Sequence, residues 1–123
     1  MQTSYFAIYK NSDGVSIALK TPFWFAGPRY PQLAPTPALL SDYKAIYTKT
    51  PKEAVEMYTL RYRKETLDAL NPEKVFRELE DKVILCYERS SDFCHRRLVA
   101  DWIEQSLGVE VPEITLEQYR LHR

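Results

Sequence analysis

The sequence predicts one α/β domain over residues 1–123, built as three layers with a small, mainly parallel sheet between helices. Three observations point there. Lys82-Val83-Ile84-Leu85-Cys86-Tyr87 is apolar on both alternating faces, as expected of a strand covered on both sides, and it should be central. After a polar stretch, an amphipathic segment runs from near Phe93 through Leu98, Val99, Trp102, Ile103 and Leu107 to Gly108, completing a strand, loop, helix unit. A chain of 123 residues is long enough for one core and too short for two independent ones.

In chain order, residues 4–9 and 15–19 are short runs rich in aromatic and β-branched side chains, and they read as strands. The turn formers Asn11-Ser12-Asp13-Gly14 separate them at a spacing that would permit a hairpin. From Thr21 to Pro37 prolines recur among Phe23, Trp24, Phe25 and Tyr30. Each proline removes a backbone donor and restricts the residue before it, so a long aromatic loop is expected. Thr36-Pro37 opens a helix that carries Leu39, Leu40, Tyr43, Ile46 and Tyr47 on one face. Thr50-Pro51 opens a second, with Glu53 placed for a capping box, running to about Leu70. Asn71-Pro72 caps a third, with Val75, Phe76 and Leu79 as its apolar stripe. The long helix has Ser91 or Asp92 as its cap, Val109 to Val111 could extend as a strand, and Thr115 with Gln118 could cap a last short helix.

Composition excludes more functions than it selects. Apolar residues at 45% and charged residues at 28% are those of a folded chain. Lys plus Arg and Asp plus Glu both number 17, so no global field draws nucleic acid or an anionic membrane, and any such partner must be recognised locally. No apolar run approaches the roughly 20 residues a membrane span needs. The start, MQTSYFAIYK, lacks a secretory pattern, and two cysteines do not make a disulfide scaffold. A cytoplasmic protein with reduced thiols is therefore expected. Glycines only at 14, 27 and 108 leave no phosphate-binding glycine loop and no serine-nucleophile elbow.

The chemistry concentrates between Glu88 and Arg97, where the central strand's carboxyl end meets the amino end of the long helix. Ligands bind there in open α/β sheets, because the first N–H groups of the helix are unpaired. Cys94 has three readings: an inert residue of the apolar face, a contact for an anion or substrate, or a thiol activated by the helix end and neighbouring arginines. His95 is either a satisfied histidine that ties down the loop or a proton carrier. Arg97 can pair with Asp101 one turn on, whereas Arg96 has no such partner and is the better anion clamp. Cys86 reads as strand core. A metal held by Cys86, Cys94 and His95, with His122 as a remote fourth donor, is not expected, since the gap of eight between the cysteines is not a usual zinc spacing. In the aromatic loop, Trp24 and Tyr30 either cover the core edge or stack on a flat ligand, with Lys20 and Arg29 nearby to meet phosphate. The run Arg61 to Lys64 reads as a solvated face.

Leu85-Cys86-Tyr87-Glu88 followed by Phe93-Cys94-His95-Arg96-Arg97-Leu98-Val99-Ala100-Asp101-Trp102 resembles the signature of the bacterial and phage family DUF488. Lys20-Thr21-Pro22-Phe23-Trp24-Phe25, with Tyr30-Pro31-Gln32-Leu33-Ala34-Pro35, is similar to its other characteristic stretch, and Tyr62-Arg63-Lys64-Glu65 to a short helix motif. The resemblance implies a compact α/β fold and a pocket where the Thr-Pro loop meets the Cys-His-Arg turn. It implies no established reaction.

The functional expectation is an enzyme acting on a small phosphorylated or nucleotide-like substrate. Cys94 is nucleophile or polar contact, His95 proton carrier, Arg96 anion clamp and Trp24 stacking wall, with Glu88, Lys20, Thr21 and Tyr30 completing the substrate site. No cofactor or metal is expected. The alternatives are a non-catalytic module holding an anionic metabolite or a nucleic-acid end, and a structural protein in which Cys94 and His95 brace the fold. Oligomeric state is not legible in these residues.

Overall fold

The apolar run at Val83–Cys86 is the middle strand of a three-stranded sheet. In the computed structural model, which describes the backbone of residues 1–122 and the side chains of 1–121, the strands are β1 (Gln2–Tyr5), β2 (Gly14–Ser16) and β3 (Val83–Cys86). Their order is β1-β3-β2, and both outer strands pair parallel with β3, placing Thr3 and Val15 opposite Ile84 from either side. This parallel pairing rules out the hairpin that the Asn11-Gly14 turn would permit. The strands are also shorter than residues 4–9 and 15–19 suggest. The chain turns directly after Tyr5, whose carbonyl accepts from the N–H groups of both Ile8 and Tyr9.

Among the described residues five α-helices complete the fold: α1 (Pro37–Tyr47), α2 (Pro51–Glu65), α3 (Pro72–Leu79), α4 (His95–Leu107) and α5 (Leu116–His122). The alternation of β3 divides the core in two. Ile84 joins Val15, Leu39, Tyr58, Tyr62, Val75, Val99 and Ile103, which is the side covered by α1 to α4. Val83 and Leu85 point the other way, against Phe6, Tyr9, Phe25, Ile114 and Tyr119, where the aromatic loop and α5 form the thinner third layer. All four β3 residues are buried, so burial on two faces explains the unbroken apolar run. No helix among the described residues is long and apolar enough to cross a membrane.

The caps show which local signals survive tertiary context. Thr36 accepts from the Leu39 N–H at 3.1 Å, Asn71 accepts from Glu73 and Lys74, and Thr115 with Gln118 forms a reciprocal box. Thr50 does not cap α2; its hydroxyl turns back to the Ile46 carbonyl, because only two residues separate it from the end of α1. Helix α2 stops at Glu65, short of Leu70, and a 3₁₀ turn at Leu67–Ala69 follows. Gly108 closes α4 with a φ of 68°, a left-handed conformation that glycine adopts without a Cβ clash. Residues 109–111 form no strand. The next few residues reach β1 through a single bridge between Thr3 and Glu113.

Helix α4 begins at His95, later than the reading near Phe93, and neither Ser91 nor Asp92 caps it. Cys94 is its N-cap residue in extended backbone, with no side-chain cap hydrogen bond. Asp92 instead closes a turn with Arg89, donating its N–H to the Arg89 carbonyl at 3.0 Å. That turn folds the segment between β3 and α4 back on itself, so Cys86 and Cys94 meet.

Candidate functional site

The carboxyl end of β3 and the amino end of α4 share the floor of one cavity of about 660 Å³. Cys86, Cys94 and His95 form that floor; Tyr43, Tyr58 and Phe93 form a wall; Lys20, Lys44, Tyr87 and Glu88 also contribute to the lining. The volume is within the range of small-molecule sites. The wall is a continuous aromatic cluster, with Tyr43 5.2 Å from Tyr58 and 5.8 Å from Phe93, ring centre to ring centre. Burial pushes the phenols of Tyr43 and Tyr58 above their ordinary range, reinforced for Tyr58 by the negative charge of Glu88 and then by Tyr43, and for Tyr43 by Tyr47 and then by Glu88. Both tyrosines are therefore neutral donors at pH 7.

His95 is held by its surroundings. Its Nε2 lies 2.8 Å from the Ile17 carbonyl. A carbonyl oxygen only accepts, so Nε2 carries the proton and the neutral ring presents a bare lone pair at Nδ1. Nδ1 faces the Cys94 sulfur at 3.8 Å. Burial, reinforced by the nearby Arg96 charge, lowers the imidazole to about 4 despite the opposing Ile17 bond. The ring of Tyr62 packs edge-on against it at 5.4 Å, and the Tyr62 hydroxyl is anchored on the Leu33 carbonyl. His95 thus ties the chain to residue 17, with its second nitrogen turned toward the Cys94 sulfur at the cavity floor.

Arg96 contradicts the expectation of an anion clamp. It is fully buried. Its Nε and Nη2 donate to the two Glu113 oxygens at 3.0 and 2.8 Å, and Nη1 donates to the Cys86 sulfur at 3.1 Å. Glu113 also accepts from Thr3 and Ser90. Burial would raise this carboxyl, but those donors outweigh it and hold it below the usual carboxylate range. The guanidinium is therefore spent inside the protein. Arg97, read as a partner for Asp101, donates instead to Thr3 and the Val111 carbonyl, at 2.8 Å each.

The sulfurs are not separate thiols. Cys86 and Cys94 are joined in a disulfide, which corrects the expectation of reduced cysteines. The sequence gap of eight says nothing about the return of the intervening loop, and that return makes the bond.

Of the other expected substrate residues, Lys20 and Glu88 line the cavity, whereas Thr21, Trp24 and Tyr30 do not. Thr21 bonds Ser16 through its hydroxyl. Trp24 packs edge-on against Phe6 beneath the Lys10 ammonium, on the opposite side of the sheet. Tyr30 donates to Glu78, and burial with that bond raises its phenol to about 12. The proline-rich loop reaches the cavity through its ends, at Lys20 before it and at Pro35 and Pro37. Glu113, Lys44, Tyr43 and Tyr58 carry no local signal of their roles, since each arrives from a distant part of the chain. The side chain of His122 lies outside the described residues.

A family model described as the active DUF488-N3 subclade matches residues 12–107, taking in β2 through α4 and hence the whole Cys-His-Arg region. Neither a curated protein nor a solved structure matches the chain.

Proposed function

The chain belongs to the DUF488 family, and from that premise and the cavity beside Cys94 and His95 we propose an enzyme acting on a small phosphorylated or nucleotide-like substrate. The observation that carries the proposal is the neutral His95, its free Nδ1 turned to the Cys94 sulfur beneath a cavity large enough for such a molecule. The aromatic wall suits a flat ring, and Lys20 and Lys44 suit a phosphate. Glu88 is suited to accept from substrate hydroxyls or amines. Cys94, once reduced, and His95 meet the reacting end, with His95 accepting a proton at a nitrogen that stays unprotonated at neutral pH. Arg96 takes no substrate in this scheme. It braces Cys86 from behind.

Because the sulfurs are joined, a second reading has specific support: a module that binds the same ligands without chemistry. Thermal shift with nucleotides and sugar phosphates tests both. A ligand present at 100 times its Kd adds about 2.7 kcal/mol to the folded state, a readily measured rise in midpoint. Lys20→Ala combined with Lys44→Ala should abolish the rise. Consumption of the bound ligand by reduced but not oxidised protein supports the enzyme; binding without consumption in both forms supports the module. No shift with any member of either ligand class would overturn both.

A further inference from the structure

We infer that, once the disulfide is reduced, Cys86, Cys94 and His95 hold one thiophilic divalent cation of the zinc type, with its fourth position open to the cavity. The three donor atoms lie within 4.8 Å of one another, and all three side chains are buried. The Cys94 sulfur and His95 Nδ1 are 3.8 Å apart. Around a tetrahedral zinc, bonds of about 2.3 Å to sulfur and about 2.0 Å to nitrogen separate two such donors by roughly 3.5 Å. The nitrogen is already in place. The cysteine Cα atoms stand 7.3 Å apart. Ordinary disulfides span about 4.4–6.8 Å between Cα atoms, so this backbone leaves the sulfurs room to part and admit an ion.

The surroundings are those of a ligand set. The Nε2–H of His95 is fixed on the Ile17 carbonyl, and metal-bound histidines characteristically anchor their second nitrogen in this way. Arg96 donates to the Cys86 sulfur, which favours a thiolate there, and Glu113 neutralises the guanidinium. Two thiolates and one divalent cation sum to zero, so the buried cluster needs no further counter-charge. Three protein donors facing an open cavity match catalytic rather than structural zinc sites. The spacing argument against a metal does not hold in three dimensions, because the loop between the cysteines folds back.

The reaction is balanced as follows. A phosphine supplies two electrons and takes the oxygen of one water to become the phosphine oxide, the two protons of that water going to the sulfurs as thiols; two thiol equivalents, joined as a disulfide, supply the same two electrons and two protons. The cation then displaces both thiol protons to solvent and takes the Nδ1 lone pair. Both roles proposed above change in the loaded form, since Cys94 and His95 then hold the cation, and the cation polarises the group presented by the substrate. The inference needs no substrate and stands apart from that reading.

The test titrates cobalt(II) into the full chain after anaerobic phosphine reduction. The expected result is one equivalent bound, with a thiolate-to-cobalt charge-transfer band sized for two thiolates, tetrahedral visible bands, and displacement by zinc. The oxidised chain should show none of these. Cys86→Ser should halve the band, and Cys86→Ser and Cys94→Ser should each weaken binding by more than about tenfold. A reduced wild-type chain that is folded by circular dichroism yet gives no charge-transfer band overturns the inference without any variant. So does a band of full size in either serine variant. Nucleotide binding is measured separately on oxidised, metal-free protein, so failure there leaves the metal result distinct.

Discussion

Glu113→Gln examines the interaction that holds the floor of the cavity. The substitution keeps the shape of the side chain and removes the charge opposite Arg96, which is fully buried, while Glu113 itself is 13% exposed. Removing one partner of a buried ion pair costs about 3–5 kcal/mol, because the remaining charge has no solvent to turn to. The amide retains one acceptor for an Arg96 N–H, which returns about 1 kcal/mol. The expected loss is therefore about 2–4 kcal/mol. Urea unfolding followed by circular dichroism reads it directly. With a slope of about 2 kcal/mol per molar, the midpoint should fall by about 1–2 M. Arg96→Met combined with Glu113→Leu should recover most of that loss, since the pair is then replaced by packed apolar groups instead of being broken. A Glu113→Gln midpoint within about 0.5 kcal/mol of wild type, the range of an ordinary surface change, would refute the claim that Arg96 depends on this carboxylate.

The same pair sets the acid limb of stability. The folded Glu113 carboxyl sits below its unfolded value, so the unfolded chain binds more protons between the two; its contribution is complete above the unfolded value and disappears as pH falls through the folded one. Arg96→Met should flatten that part of a stability-versus-pH curve. Reducing the Cys86–Cys94 bond, which closes a loop with a sequence separation of 8, should cost about 2–3 kcal/mol by loop-closure entropy, measured as a lower Tm in phosphine than without it. Gly108→Ala should destabilise by about 1–2 kcal/mol through its positive φ alone, since a Cβ there would touch nothing within 4 Å; an unchanged urea midpoint would contradict this.

Much of the scaffold can be read from neighbours in the chain. The run Val83 to Cys86 announces a buried central strand, Thr36-Pro37 and Asn71-Pro72 announce helix starts, and Gly108 announces a helix end. In each case the physical cause, alternation, capping or left-handed backbone, acts over a few residues. Glu88, Cys94 and His95 line the cavity for a related reason: the carboxyl ends of parallel strands are where loops open into helix mouths.

The contents of the site follow a different rule. Nothing near Arg96 in the chain reveals Glu113, and nothing near Cys94 reveals that Cys86 returns to it. Trp24 and Tyr30 have the composition of a binding wall, yet the loop that leaves β2 for α1 sends them to other surfaces, and Tyr43 and Tyr58 take that place from two helices. Local propensities are short-ranged and survive in the letters. Partners for a buried charge, a sulfur or an imidazole are chosen by packing, which joins residues that the chain order keeps far apart.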